Sequence, residues 1–295
     1  DGDGFKDIFV QSGMDPSGTD WSTCWYCDPI LPNNIMFNNA GKSFSVKELT
    51  EWKGIWRTAS AGDIDGDGDV DIVAGAYIMY NDGDGIFSKY KDLETSWYGG
   101  FDEYDNYTQN PIDASSVADF NGDGIDDIIL WFRSDSESLC STGNSNQTAE
   151  AYCGGYIKFG PILETDSVHV NDDFTRLDNG DGYYGLNTFF NNSVTGDIDS
   201  DGDIDILVGE TRKIPYYNGR TVQILINDGD GNFEDKTDVM YPNQLRSGLA
   251  QTVASIGIGE GDVYMVDFDG DGDMDIILLP FMKQNRKFFF ANQLG

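Results

Sequence analysis

Three features of this sequence predict an all-β fold, a β-propeller of four-stranded blades with calcium-binding hairpin loops between strands. An acidic loop of nine residues occurs four times complete and once truncated. A short apolar stretch rich in β-branched residues follows each complete loop, as expected for a buried strand. Asn/Gly turns follow further apolar stretches. One such unit cannot bury both faces of its sheet, whereas radial stacking of several units can, and it also protects their edges.

The acidic loops carry side-chain oxygens at positions 1, 3, 5 and 9, glycine at position 6, and a candidate backbone carbonyl ligand at position 7. The complete loops contain Asp63, Asp65, Asp67, Asp69 and Asp71; Asp119, Asn121, Asp123, Ile125 and Asp127; Asp197, Asp199, Asp201, Asp203 and Asp205; and Asp267, Asp269, Asp271, Asp273 and Asp275. The truncated loop contains Asp1, Asp3 and Asp7. Ca²⁺ takes about six to eight oxygen ligands in flexible geometry. We therefore expect about four to five bound Ca²⁺ ions.

The loops differ from the helix-flanked EF-hand type of calcium site. An EF-hand needs a bidentate glutamate at position 12. The complete loops instead have apolar residues there, namely Ala74, Leu130, Val208 and Leu278. Mg²⁺ fits less well than Ca²⁺, because it retains its waters. Acidic turns without metal are the simpler alternative, but so many carboxylates placed together repel each other unless a cation neutralises them.

The turns that follow the next apolar stretches are predicted to be structural hairpins rather than further metal sites. They span residues 38–41, 81–85 and 227–231, and a phenylalanine follows each one (Phe44, Phe87 and Phe233). The repeats are expected at about 1–62, 63–118, 119–196, 197–266 and 267–295, forming a single propeller domain or a segment of one. The first ligand of the truncated loop would precede Asp1, so we expect a segment of a longer protein or a processed product.

Charge and hydropathy exclude some partners. The chain has 52 acidic and 18 basic residues, a net charge of −34, so we expect no binding to nucleic acid or anionic membrane. No apolar run reaches the ~18 residues that a transmembrane helix requires, so no membrane span is expected in this segment.

Cysteines and glycosylation sequons favour an extracellular or cell-surface location. The simplest disulfide pairing is Cys24 with Cys27 and Cys140 with Cys153, although the sequence leaves the other pairings and a zinc site open. Asn106, Asn146 and Asn191 begin Asn-x-Ser/Thr sequons and are candidate glycosylation sites. Weak calcium loops also require extracellular calcium levels.

The run from Gly62 to Gly75, followed by residues 80–87, resembles the VCBS/FG-GAP repeat family, which includes the integrin α-subunit propeller. The resemblance extends over nearly the whole chain and implies a propeller of seven blades, or sometimes six or eight, with Ca²⁺ in inter-strand hairpins. The Phe-Gly and Gly-Ala-Pro half-motifs of the integrin form survive only as echoes at residues 158–161 and 75–77. Integrin-type ligand binding is therefore not implied.

Catalytic signals are sparse, which favours a binding or assembly function without turnover. His169 is the single histidine, and its Val-His-Val setting predicts a structural role in a strand. No Gly-x-Ser-x-Gly motif occurs, and most prominent aspartates belong to the loops. We expect an extracellular adhesion or assembly module that binds a protein or glycoconjugate or self-associates. A lectin, with sugar stacked on the aromatic residues of 94–107, is one alternative. The propeller of a polysaccharide-degrading enzyme is another.

Overall fold

The computed structural model describes most, but not all, of the chain. The described residues are 1–10, 32–53, 58–93, 112–132, 154–178, 180, 182, 188–212, 220–241, 263–272, 274–278 and 288–290. Within these ranges the chain forms strands and two four-residue helices, α1 (Val170–Asp173) and α2 (Thr237–Met240). The all-β part of the prediction is confirmed. No helix in these ranges is long and apolar enough to cross a membrane.

The strands form five antiparallel sheets that follow one another along the chain. Sheet 1 contains β1 (Ile8–Val10), β2 (Pro32–Asn38) and β3 (Phe44–Lys53). Sheet 2 contains β4 (Ala59–Gly62), β5 (Asp71–Ala74), β6 (Tyr77–Tyr80) and β7 (Lys89–Asp92). Sheet 3 contains β8 (Ile112–Ala118), β9 (Asp127–Phe132), β10 (Gly154–Lys158) and β11 (Thr175–Arg176). Sheet 4 contains β12 (Thr188–Gly196), β13 (Asp205–Arg212), β14 (Arg220–Asn227) and β15 (Phe233–Asp235). Sheet 5 contains β16 (Val263–Val266), β17 (Asp275–Leu278) and β18 (Phe288–Phe290).

Each complete acidic loop joins the first strand of its sheet to the second. The second strand begins at the position-9 aspartate, and Gly62 pairs with Asp71 across the loop in sheet 2. The pairing of Gly196 with Asp205 repeats this register in sheet 4. The predicted arrangement of strand, loop and strand is therefore observed. Sheets 2 to 5 each begin one strand before their acidic loop, so these sheets are offset from repeats counted from the loops.

The sheets stack in chain order, and the first strands of sheets 2 to 5 lie side by side. The Ser60 and Ser115 hydroxyls are 2.7 Å apart across the joint between sheets 2 and 3, and those of Ser116 and Ser193 are 2.5 Å apart across the next joint. Asn192 Nδ2 then donates to the Val263 carbonyl at 2.8 Å, joining sheet 4 to sheet 5. The first strands of sheets 2 to 5 therefore lie along the same side of the stack.

Apolar side chains fill the spaces between successive sheets. Ile35 and Leu49 of sheet 1 pack with Ile72 and Met79 of sheet 2. Further clusters join sheet 2 to sheet 3, sheet 3 to sheet 4 and sheet 4 to sheet 5. The described strands show no closed ring. Four-stranded antiparallel sheets are confirmed for sheets 2, 3 and 4, and closure into a propeller stays a prediction.

The environment of His169 differs from the predicted strand. His169 directly precedes α1, and its backbone N–H donates to Asp173 Oδ2 at 2.8 Å. The flanking Val168 and Val170 are buried in the core between sheets 2 and 3. The strand prediction was therefore wrong, because alternating apolar residues over three positions also fit the entry to a short helix.

Candidate metal centres

The position-1 aspartate organises each loop by accepting backbone hydrogen bonds. Asp63 accepts from the Gly66 N–H at 2.9 Å and from the Gly68 N–H at 3.0 Å. The position-1 residues of the other complete loops, Asp119, Asp197 and Asp267, accept from the same part of their own loops. This wrapping needs the left-handed backbone at position 6, where Gly68 has φ of 94°. The sequence requirement for glycine at this position is thereby explained.

Aspartates at positions 3 and 5 each accept from the N–H two residues further on, which makes a series of tight turns. Asp65 Oδ1 accepts from Asp67 N at 3.2 Å, and Asp67 Oδ1 accepts from Asp69 N at 2.9 Å. The second loop repeats this through Asn121, Asp123 and Ile125, and the truncated loop through Asp1, Asp3 and Phe5. The third and fourth loops show parts of the series, at Asp201 with Asp203 and at Asp269 with Asp271.

The position-9 aspartate connects its loop to the third strand of the same sheet. Asp71 Oδ2 accepts from the Ile64 N–H at 3.1 Å, and Oδ1 accepts from the Asn81 N–H at 2.9 Å. Asp127 and Asp205 make the equivalent pairs of hydrogen bonds. Asp275 accepts the equivalent bond within its loop, from the Phe268 N–H, and Asp7 accepts the equivalent bond from the turn, from the Asn38 N–H. Asp71, Asp127, Asp205 and Asp275 are all buried. These predicted ligands therefore also hold the sheet together.

Burial raises the pKa of the position-9 carboxyl groups. The pKa of Asp71 rises from 3.8 to about 7, and those of Asp127 and Asp205 rise to about 6. Loss of solvation is the largest cause; the backbone donors lower the pKa and the neighbouring loop carboxylates raise it. A divalent cation fits this donor set, because it would offset both the burial and the mutual repulsion of the carboxylates.

Carboxylate oxygens converge in three of the loops. Within each of the following groups, one oxygen per residue lies within 4.8 Å of the others: Asp63, Asp65 and Asp71; Asp197, Asp199 and Asp205; Asp267, Asp269 and Asp271. The second loop carries the amide of Asn121 in place of one carboxylate, and Asn121 Nδ2 donates to Asp123 Oδ2 at 3.1 Å. Asp273 lies outside the described residues.

The glycines of the hairpin turns have a left-handed backbone, with φ of 93° at Gly83 and 81° at Gly229, and they lie close to the position-7 side chains. A Cβ atom at Gly83 would lie 2.7 Å from Asp69 Oδ2, and one at Gly229 would lie 2.6 Å from Asp203 Oδ2. Each hairpin therefore approaches the acidic loop of its own sheet closely. Asn81 and Asn227 strengthen this contact by donating their side-chain amides to the carbonyls of Val70 and Ile204.

Sequence reasoning missed the residues that connect one loop to the next. Asp126 Oδ2 accepts from the Asp63 N–H at 2.8 Å, and the Asp126 N–H donates to the Asp63 carbonyl at 3.0 Å. Asn227 Nδ2 donates to the Phe120 carbonyl at 2.8 Å, which joins the sheet 4 hairpin to the sheet 3 loop. The doubled acid at Asp126 and Asp127 was an available signal: only the second acid occupies the ligand position.

Several predicted sites fall outside the described residues. They are Cys24, Cys27, Cys140, Cys153, the sequon residues Asn106 and Asn146, and the aromatic-rich segment 94–107. Asn191 is described, and it lies half-buried in β12 with its Nδ2 donating to Thr211 Oγ1 at 2.8 Å. That position weighs against a glycan, which needs an accessible amide, although glycosylation of Asn191 stays a prediction.

Parts of the chain are similar in sequence to known repeat proteins. Residues 197–278 match the family model described as FG-GAP-like repeat. The chain is 30% identical over 222 residues to the protein named integrin alpha pat-2 of Caenorhabditis briggsae, a match covering 74% of this chain and 17% of that protein.

Two solved structures are also similar. One is rhamnogalacturonan lyase YesW, with 16% identity and a TM-score of 0.39, covering 83% of this chain and 48% of that one. The other is the V. cholerae biofilm matrix protein Bap1, with 14% identity and a TM-score of 0.31, covering 92% of this chain and 34% of that one. Neither structure is a guide to activity at these TM-scores, and the chain spans less than half of each protein compared. The matched repeat and the similarity to an integrin alpha chain support an FG-GAP repeat family for this chain, and the recurring loops agree with it.

Proposed function

We propose that the chain is a calcium-stabilised, propeller-type module that acts in adhesion or assembly outside the cell. One observation carries this proposal: groups of three carboxylates recur between the first and second strands of sheets 2, 4 and 5. A structural cation in each loop would fix the edge of the stack at which the loops of sheets 2 and 3 are already hydrogen-bonded. The proposal includes closure of the sheets, with or without further repeats, into a propeller.

Calcium would act on the shape of the loops in this proposal. The residues that would hold it in the first loop are Asp63, Asp65, Asp67 and Asp71, with the position-7 carbonyl. Bound cation supplies the positive charge that permits the buried position-9 carboxylate to remain ionised at neutral pH. The ionised carboxylate then accepts its two backbone hydrogen bonds, and these position the third strand and its hairpin.

The described side chains favour a binding role over catalysis. The aspartates at positions 1, 3 and 5 accept hydrogen bonds within their own loops. His169 Nε2 lies 3.3 Å from the Ser167 hydroxyl, just before α1. Catalysis requires an acid, a base or a nucleophile converging on one pocket. A module that binds macromolecules requires only a rigid, repeated surface. Similarity to a chain named as an integrin alpha subunit supports an extracellular location.

Three measurements on the purified chain test the proposal. We expect Ca²⁺ to raise the melting temperature relative to EGTA, and Mg²⁺ at the same concentration to restore little of it. We expect binding to a cell-surface extract or matrix fraction to need Ca²⁺, and a polysaccharide panel to show no release of reducing ends. Identical melting curves in Ca²⁺ and EGTA would contradict calcium stabilisation, and polysaccharide cleavage would establish the enzyme alternative.

A further inference from the structure

A series of hydrogen bonds joins the position-9 aspartate of sheet 2 to that of sheet 3. Asp71 accepts from the Ile64 N–H at 3.1 Å, within the sheet 2 loop. The Ile64 carbonyl accepts from the Ile162 N–H at 2.9 Å, in the segment that follows β10 of sheet 3. Two residues before Ile162, the Gly160 N–H donates to Asp127 at 2.8 Å. The position-2 residue of the loop is therefore bonded to its own sheet through its N–H and to the next sheet through its carbonyl.

The joint between sheets 3 and 4 repeats this arrangement. Asp127 accepts from the N–H of Phe120, the position-2 residue, at 2.9 Å. The Phe120 carbonyl accepts from Asn227 Nδ2 at 2.8 Å, and the N–H of the same asparagine donates to Asp205 at 2.9 Å. Phe120 and Asn227 are both buried, so water competes little for these bonds. The position-9 aspartates of sheets 2, 3 and 4 thus belong to one network of hydrogen bonds, here called the inter-loop network.

We propose that Ca²⁺ binding to the loops of sheets 2, 3 and 4 is positively cooperative, and that the inter-loop network carries the coupling. With a cation bound in sheet 3, Asp127 holds Phe120, and the Phe120 carbonyl holds Asn227. The Asn227 N–H is then already positioned for Asp205, so binding in sheet 4 has fewer groups left to order. The stack becomes rigid over a narrow range of Ca²⁺ concentration rather than loop by loop. This inference rests on the proposed calcium sites and concerns their regulation.

Electrostatics alone would give coupling of the opposite sign. Two bound cations repel each other, and an ion in one loop also cancels negative charge that attracts an ion to the next loop. Loops that communicated only through charge would therefore bind successive ions with falling affinity, and added salt would weaken that effect. Cooperativity of positive sign consequently distinguishes the inter-loop network from simple charge effects.

The position-6 glycine amides can report each loop separately, because each donates to the position-1 aspartate of its own loop. These amides are those of Gly68, Gly124 and Gly202, and their NMR signals in an isotope-labelled chain give one Kd per loop during a Ca²⁺ titration. Asp123→Ala removes a position-5 ligand from the sheet 3 loop and leaves the inter-loop network intact. We expect it to raise the Kd read at Gly202 about fivefold or more. By linkage, Asp201→Ala should raise the Kd read at Gly124 by the same factor.

A double-mutant cycle with Asn227→Ala tests whether the inter-loop network carries the coupling. This variant loses the bond to the Phe120 carbonyl together with two bonds inside sheet 4. Asn81 makes two comparable bonds inside sheet 2, so Asn81→Ala is the matched control. Adding Asp123→Ala to Asn227→Ala should no longer raise the Kd read at Gly202, whereas adding it to Asn81→Ala should raise that Kd as in the wild type.

The possible contrary results separate this inference from the calcium proposal. A Kd at Gly202 that stays the same or falls in Asp123→Ala would overturn cooperativity, even in a protein that Ca²⁺ stabilises. This measurement does not depend on Asn227→Ala, so it decides the matter even where that variant fails to fold. Coupling that survives Asn227→Ala would overturn the role of the inter-loop network. If Ca²⁺ shifts none of the three glycine signals, the calcium proposal itself fails.

Discussion

Replacing Asp205 with asparagine should destabilise the protein in calcium and have little effect in chelator at alkaline pH. Asp205 is fully buried and accepts from the Ile198 N–H at 2.7 Å and from the Asn227 N–H at 2.9 Å. It also lies in the carboxylate group with Asp197 and Asp199. Asparagine keeps the shape but loses the charge, the metal ligand and one of the two acceptor oxygens.

The magnitude follows from the raised pKa of Asp205. Burial raises that pKa from 3.8 to about 6, so the metal-free folded protein binds the proton more tightly than the unfolded chain does. Its stability therefore falls as pH rises from about 4 to about 6, and by pH 8 the ionised carboxylate has cost about 3 kcal/mol. Asparagine avoids that cost but loses a hydrogen bond worth about 1.5–3 kcal/mol, because the original acceptor is charged. The two effects nearly cancel in the absence of metal.

In calcium the two effects no longer cancel, because in the wild-type protein the bound cation would already offset the cost of ionising Asp205. The variant then loses the hydrogen bond and the ligand together, and we expect a loss of about 3 kcal/mol or more. Urea unfolding at pH 8, in Ca²⁺ and in EGTA, measures both values. Asp172→Asn, at an exposed residue of α1, is the control and should change neither. Equal destabilisation by Asp205→Asn in both buffers would refute a role for this carboxylate in cation binding.

Three further predictions concern other parts of the molecule. Asp201→Ala should lower the Ca²⁺ stoichiometry by one in titration calorimetry, whereas an unchanged stoichiometry would remove position 5 from the ligand set. Lys91→Met should lower the free energy of unfolding by about 2 kcal/mol, because the buried ammonium donates to the Glu164 and Asp166 carbonyls; Lys89→Met, on the same strand but exposed, should change it little. Mass mapping without reduction should find Cys24 linked to Cys27 and Cys140 linked to Cys153, and free thiols would argue against an extracellular location.

The acidic loops and their strands could be predicted because their cause is local. Position 1 accepts from N–H groups three to five residues later, and glycine at position 6 supplies the positive φ, so nine residues contain the whole motif. The apolar stretch after each loop was predicted to be a strand. In sheet 2 it begins at buried Asp71, which accepts from the Asn81 N–H at the end of the third strand. The Asn-Asp-Gly turns were predicted for the same reason, and the positive φ of Gly83 explains the glycine there.

The links between sheets could not be predicted, because they join residues far apart in sequence. Asp126 contacts Asp63 across 63 positions, and Asn227 contacts Phe120 across 107 positions. The doubled acid at Asp126 and Asp127 marks the position in the sequence, but the partner of Asp126 lies in the loop of another sheet. The strand predicted at His169 failed for a related reason, since burial of Val168 and Val170 depends on sheets 2 and 3 rather than on the segment itself.

The two kinds of contact together explain why calcium and stacking should be coupled. The position-9 aspartate fixes the second and third strands within a sheet, and in sheet 2 those strands carry Ile72, Ala74 and Met79, which pack on sheet 1. Loss of the cation would favour protonation or displacement of that aspartate, and the hairpin that it holds would lose its position. The preceding sheet would then lose its packing partner. A calcium site in one loop therefore influences the joint between sheets, although the cation itself need not contact the neighbouring sheet.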